Sequence, residues 1–153
     1  MPSTPRTAAV IGAGISGLLV SRSLREKGLD VVLLGPVDSR NQTLCTWRKG
    51  AEQSPYSAHR IGSWNCGDFI LDGEVIRQCS ANYRYEAIDG LSLKTELEKE
   101  LANDSGCTRE KSLVLNVLQG HKDYQVETET GVLSADLVFD SRPPQFCAGT
   151  MVQ

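Results

Sequence analysis

The chain has 153 residues, 40% hydrophobic and 23% charged, enough for one core and about one globular domain, which excludes a disordered or fibrous chain. Its net charge of −3, with positive charges scattered rather than striped, argues against a nucleic-acid surface. Five cysteines, Cys45, Cys66, Cys79, Cys107 and Cys147, are odd in number and contain no C-x-x-C pair, so free thiols in a reducing compartment are expected rather than a disulfide framework or a zinc ribbon.

The apolar run Ala8 to Val20 follows Arg6, as in a signal peptide, but Gly12, Gly14 and Gly17 interrupt it and no A-x-A-like cleavage site follows. No segment is long and apolar enough to span a bilayer. Thr7 to Ile11 predicts a short buried strand. Ser16 to Lys27 predicts a helix, with Leu18, Leu19, Val20 and Leu24 on its apolar side and Gly28 as its C-cap. Val31 to Leu34 is an uninterrupted apolar strand, as a sheet covered on both faces requires. Together these form one βαβ unit.

Ser39 to Asn65 reads as polar and irregular. Phe69 to Leu71 and Glu74 to Arg77 flank Asp72-Gly73, a hairpin turn signal. Leu93, Leu97 and Leu101 mark a helix over Leu91 to Leu101. Leu113 to Leu118 is a strand. Tyr124 to Thr128 and Val132 to Ser134 form a hairpin, and Leu137 to Phe139 is a last buried strand ending at Asp140. The expected fold class is α/β: a Rossmann-like FAD/NAD(P)-binding fold over residues 1–153, with a β-rich antiparallel insertion around residues 39–90.

Gly12, Gly14 and Gly17 fit G-x-G-x-x-G with a strand before, a helix after and a second strand in place. Gly12 allows the tight turn, Gly14 lets a pyrophosphate approach the backbone, and Gly17 lets the helix pack against the strand. The helix N-terminus then offers N–H groups and positive dipole to phosphates. At the tip of the second strand, where an acid would grip the ribose, stands Gly35. Asp38 from the loop, backbone or water are candidate substitutes; Arg40 would suit a 2′-phosphate. Losing one ribose hydrogen bond costs about 1 kcal/mol, which weakens binding without abolishing it.

Three further segments carry a resemblance. They are Asn41 to Trp47, then Tyr83-Arg84-Tyr85-Glu86-Ala87-Ile88-Asp89-Gly90-Leu91 before the second long helix, and Ala135-Asp136-Leu137-Val138-Phe139-Asp140-Ser141-Arg142-Pro143 on the return strand. In this order they resemble the bacterial lycopene cyclase family, whose V-F-D-S-R-P segment is the most specific match. Leu44-Cys45-Thr46-Trp47 departs from the family's more usual Trp-Cys-Phe-Trp. The family is more than twice as long, so an N-terminal part of a longer flavoprotein, inactive alone, is expected.

The resemblance implies FAD, used in reduced form without net redox turnover, with NAD(P)H as a reductant. The reaction is cyclisation of the ends of linear lycopene by protonation, ring closure and proton loss. It implies a cytoplasmic enzyme with peripheral association at the inner membrane, and lycopene as its partner. By motif match Gly12, Ala13, Gly14, Ile15, Ser16 and Gly17 contact the diphosphate, and Gly35 and Pro36 lie near the adenosine ribose. Val114 or Leu115 offers backbone to the adenine. Asp140 lies near the flavin, or simply caps a turn. The family's acids lie beyond this chain, so no catalytic residue is carried over.

His59 and His121 sit in polar loops without metal spacing and read as surface residues; no metal site is expected. Trp47 and Trp64 fit a carotenoid tunnel or core and lid packing equally well. Tyr83 and Tyr85 share one strand face. The rival readings are an FAD/NAD(P)-dependent oxidoreductase of monooxygenase or prenyl reductase type, which would turn over its flavin with NAD(P)H, and a non-catalytic nucleotide-binding module.

Overall fold

The structure, a computed structural model, describes residues 6–36, 40–50 and 54–142. In chain order the elements are β1 (Thr7–Ile11), α1 (Ile15–Glu26), β2 (Asp30–Leu34), β3 (Thr43–Lys49), a 3-10 turn (Ser57–His59) and β4 (Arg60–Trp64). Then come β5 (Cys66–Leu71), β6 (Glu74–Cys79), β7 (Tyr83–Asp89), α2 (Gly90–Ala102) and β8 (Cys107–Glu110). The series ends with β9 (Val114–Gln119), β10 (Tyr124–Thr128), β11 (Gly131–Ala135) and β12 (Leu137–Asp140). Two compact units result, one of Met1–Asp38 with Leu97–Gln153, the other of Ser39–Glu96; the division falls within α2.

The first unit holds a parallel sheet in the order β12-β1-β2-β8. Its central strands β1 and β2 are apolar on both sides because both faces are covered there. One face, with Ala9, Ile11, Val32, Leu34 and Val138, packs on Val114, Val117, Val126, Leu133 and Ala135 of the antiparallel meander β9-β10-β11. The other face carries α1, whose fully buried Leu18 and close-packed Gly17 sit over Val10. β8 was not anticipated from the sequence, because its Cys-Thr-Arg-Glu is short and polar. Arg25 explains its placement: the guanidinium pairs with Asp104 and Asp30, and Asp104 accepts from the Gly106 N–H, which docks Gly106 beside Val31. This pairing holds the Asp104 carboxyl below the usual carboxylate range.

The second unit corrects the expectation of an irregular stretch over Ser39 to Asn65. β3 and β4 flank β7 in an antiparallel sheet of order β3-β7-β4. The alternation in β3 turns Leu44, Thr46 and Arg48 toward shelter, and with one apolar residue among them the period was hidden. Arg48 and Arg60 converge instead on Glu86 of β7, a carboxylate only 1% exposed, at 4.0 and 3.1 Å.

β5 and β6 form a separate hairpin about Asp72-Gly73. It overturns the expectation of free thiols for two cysteines: the register sets Cys66 opposite Cys79, with Cα atoms 4.0 Å apart and a disulfide between them. Cys45 and Cys107 are free; Cys147 lies outside the described residues. His59 is also corrected. Its side chain is largely buried, with Nδ1 2.9 Å from Ser92 Oγ and Nε2 3.0 Å from Glu96 Oε2. His121 is exposed. Among the described residues no helix is long and apolar enough to cross a membrane, and no cluster of metal-ligating side chains occurs.

Candidate functional site at the end of the parallel sheet

The glycine loop lies at the C-terminal end of β1, where open α/β sheets bind ligands. The Gly12 N–H donates to Leu34 O at 2.8 Å, binding the loop to β2. The Ser141 N–H and hydroxyl both donate to Ile11 O, at 2.9 and 2.8 Å, binding it to the end of β12. A Cβ on Gly12 would overlap that Ser141 hydroxyl, and one on Gly17 would overlap the Gly12 carbonyl. Gly17 is therefore required by packing, and Gly12, at φ +104°, by its backbone conformation.

Gly14 differs. It is exposed, its backbone is extended, and a Cβ there would meet nothing within 4 Å. It stands as the N-cap of α1, which has no side-chain cap and no acid in its first turn. The space above Gly14, Ile15 and Ser16 is thus open, faces the positive end of the helix and contains no protein counter-charge from the first turn. An anion such as a diphosphate is what such a cradle accommodates.

At the tip of β2, Gly35 has φ +137°, a backbone conformation that disfavours any side chain, although a Cβ there would make only ordinary contact with Ala13 N at 3.4 Å. An acid is excluded from this position by backbone geometry. Arg109 of β8 occupies the neighbourhood instead, where its Nη2 donates to Gly35 O at 3.1 Å and to Pro36 O at 3.2 Å. Its Nη1 is buried without a partner, and burial pushes the guanidinium below its usual range. Arg109 was missed from the sequence, since nothing local marks a lone arginine in a short strand. Of the expected substitutes, Asp38 lies outside the described residues and Arg40 falls in the other unit.

Asp140 ends β12 beside Ile11. Arg142 binds it through Nε and Nη2, at 2.9 and 2.6 Å, and holds its carboxyl below the usual range. The same guanidinium donates to Val114 O at 2.9 Å. The structure therefore brings together Asp140, Val114 and the loop-bracing Ser141, with Arg142 as the link. The Val114 carbonyl already accepts one hydrogen bond. Leu115 is exposed.

The fold recurs in solved structures of other proteins. PqsL of Pseudomonas aeruginosa, described as a probable FAD-dependent monooxygenase, superposes with a TM-score of 0.67 at 15% identity, covering 88% of this chain and 42% of that one. For p-nitrophenol 4-monooxygenase PnpA of Pseudomonas putida DLL-E4 the TM-score is 0.66 at 16% identity, over 89% of this chain and 40% of that one. For 2,6-dihydroxypyridine-3-hydroxylase of Arthrobacter nicotinovorans the TM-score is 0.63 at 18% identity, over 88% and 36%. The chain spans well under half the length of these proteins. No curated protein matches the sequence. The model of the lycopene cyclase proteins matches residues 8–153, and with nearly the whole chain covered, this protein belongs to the lycopene cyclase family.

Proposed function

We propose that this chain is the nucleotide-binding part of a lycopene cyclase that holds FAD on the glycine loop. The observation that carries the reading is the open, uncapped position at Gly14, set within a chain of this family. Gly12, Ala13, Gly14, Ile15, Ser16 and Gly17 receive the diphosphate. The carbonyl groups at Gly35 and Pro36 border the adenosine ribose, and Arg109 Nη1 supplies there a donor in place of the missing acid. Val114 borders the adenine and Asp140 the flavin. With Arg142 keeping Asp140 ionised, Asp140 is not the proton donor of the reaction; it positions rather than protonates.

Reduced FAD, when bound, supplies an electron-rich surface beside the substrate. The reaction is an isomerisation: a buried acid outside this part of the protein protonates a terminal double bond of linear lycopene, the cation closes a ring, and a proton is lost. NAD(P)H serves only to reduce the flavin initially, and the substrate's insolubility in water brings the enzyme to the membrane surface from the cytoplasm. A second reading, an oxidoreductase that turns over its flavin, is favoured by the likeness to monooxygenase folds. Incubation of the full-length protein with lycopene in detergent micelles, FAD and NADPH, with and without oxygen, separates the two. Cyclised product without NADPH consumption supports the cyclase, whereas stoichiometric NADPH oxidation with an oxygenated or reduced product overturns it.

A further inference from the structure

Ser92, His59 and Glu96 form one hydrogen-bonded row, and all of it lies within the β-rich unit. Two local devices set the row up. Asp89, just before α2, accepts from the Leu91 and Ser92 N–H groups at 3.1 and 3.2 Å and fixes the first turn of that helix. Ser92 and Glu96, four residues apart, then share one helix face. Opposite them the His59 N–H donates to Tyr56 O and the Ser57 N–H to Ser54 O, both at 3.0 Å, which shapes the turn that presents the imidazole. The ring meets the helix at both nitrogens: Nδ1 is 2.9 Å from Ser92 Oγ and Nε2 is 3.0 Å from Glu96 Oε2.

These two contacts fix the tautomer. A carboxylate only accepts hydrogen bonds, so in the neutral ring the one proton sits on Nε2, toward Glu96. Nδ1 is then the acceptor and the Ser92 hydroxyl the donor. The His59 side chain is only 9% exposed, so water competes little for Nδ1. A nucleophile bonded to a base, with the base oriented by a third group, is the arrangement that activates a serine hydroxyl. Capping of the helix does not call for it, because Asp89 already serves the first turn.

We propose that Ser92 is a nucleophile that takes up an acyl group from an activated carboxylic ester, with His59 as its base and Glu96 as a positioning residue. Ser92 Oγ bonds to the carbonyl carbon of the ester while His59 Nδ1 takes the hydroxyl proton. The bond from that carbon to the leaving alcohol or phenol breaks, and the leaving group carries the proton away. No oxidant, reductant or cofactor takes part. The Leu91 and Ser92 N–H groups are occupied by Asp89 and do not serve an oxyanion. The step is therefore a stoichiometric acylation rather than a turnover. The site draws on this unit alone and stands or falls independently of the glycine loop.

The probe is p-nitrophenyl acetate, used on the full-length protein, with acetylation read peptide by peptide by mass spectrometry. Ser63 and Ser105 are exposed serines not bonded to His59, and they serve as internal references. Ser92 should be acetylated at least about a hundredfold faster than either, the lower end of general-base assistance. His59→Ala should bring Ser92 down to their level, and added imidazole should restore part of the rate by standing in for the missing ring. Glu96→Gln keeps the shape and an acceptor oxygen but not the charge. It should slow acetylation at least about tenfold, whereas a merely spatial brace would survive it. Circular dichroism checks that each variant folds.

Ser92 acetylation no faster than that of Ser63 and Ser105 would overturn the proposal, and so would an unchanged Ser92 rate in folded His59→Ala. If His59→Ala does not fold, Glu96→Gln decides: a slowed rate in that folded variant supports the row as an activating device, and an unchanged rate overturns it.

Discussion

The two units of this protein are built on opposite terms. In the parallel-sheet unit a core is sealed: Ala8, Ala9, Val10, Leu18 and Leu34 are buried between covered sheet faces, although Leu115 and Val132 of the meander are exposed. In the β-rich unit the large apolar residues are largely outside, including Trp47, Ile61, Phe69, Ile70 and Leu71, with Ile70 76% exposed. That unit is cross-linked by other means: a buried carboxylate between two arginines and a disulfide at the neck of its hairpin. The first unit is held mainly by its core, the second mainly by ionic and covalent ties.

The sharpest break in that comparison is expected within the glycine loop. Gly17→Val drives a side chain into the Gly12 carbonyl, and backbone cannot yield there as a flexible side chain can. Loss of cooperative unfolding of the parallel-sheet unit is expected, at more than about 4 kcal/mol. Gly14→Ala adds a methyl group to open space and should leave the melting temperature nearly unchanged. It should still weaken FAD binding by about ten- to a hundredfold, the equivalent of about 1.5–3 kcal/mol for disturbed hydrogen bonds to a charged group. Calorimetry of both variants beside a flavin titration tests the pair. Equal loss of stability in both would show that Gly14 serves the fold and not a ligand.

In the β-rich unit, Glu86→Ala leaves Arg48 and Arg60 facing each other without their shared carboxylate. Glu86 is buried, but Arg60 is more than a third exposed and solvent screens it, so the expected cost is about 1–3 kcal/mol. Leu34→Ala in the other unit should cost about 2–5 kcal/mol, by cavity formation. The salt response separates the two origins: the Glu86→Ala variant should recover partly as added anions screen the arginines, and Leu34→Ala should not. Denaturant unfolding at low and high sodium chloride reads this, and identical salt behaviour would remove the ionic account of the second unit.

The same contrast explains what was legible in the sequence. β1, α1, β2 and the β10-β11-β12 series could be read because their apolar periods are the ones burial imposes, and Gly12, Gly14 and Gly17 carried the loop with them. β3 was hidden because Arg48 stands at a sheltered position that a hydrophobic period would fill, and β4 because four of its five residues are exposed and show no apolar alternation. Arg109 was hidden because its role depends on β8 lying beside β2, a fact of topology fixed by Arg25 and Asp104. The Cys66–Cys79 bond was within reach. Counting outward from the Asp72-Gly73 turn pairs Leu71 with Glu74 and eventually Cys66 with Cys79. The cysteines were judged by their spacing along the chain, when the hairpin register was the relevant measure.

That bond gives the next prediction. Alkylation under native conditions should label Cys45 quickly. Cys107 should react slowly, since burial pushes its thiol above the usual range and so lowers its thiolate fraction. Cys66 and Cys79 should react only after reduction. Mass spectrometry of peptides with and without reductant distinguishes the four. Labelling of Cys66 in unreduced protein would remove the covalent tie from the second unit.

The smallest effect concerns the brace at the end of the parallel sheet. Arg142 lowers the Asp140 carboxyl below its unfolded value, so the folded state binds a proton there less readily than the unfolded chain does. The stabilisation is then complete above the ordinary carboxylate range and disappears as the pH falls toward the lowered value, below about pH 4. Both side chains are more than a third exposed, so solvent screening limits the pair to about 0.2–1 kcal/mol. Asp140→Asn should lower the stability of the parallel-sheet unit by that amount at pH 7, and the difference from the native chain should close as the pH falls through 4. A gap that persists at lower pH would mean that Asp140 matters for its shape beside Ile11 rather than for its charge. The contrast between a unit held by its core and a unit held by ionic ties would then be sharper still, because this ion pair at the glycine-loop end of the first unit would contribute nothing through its charge.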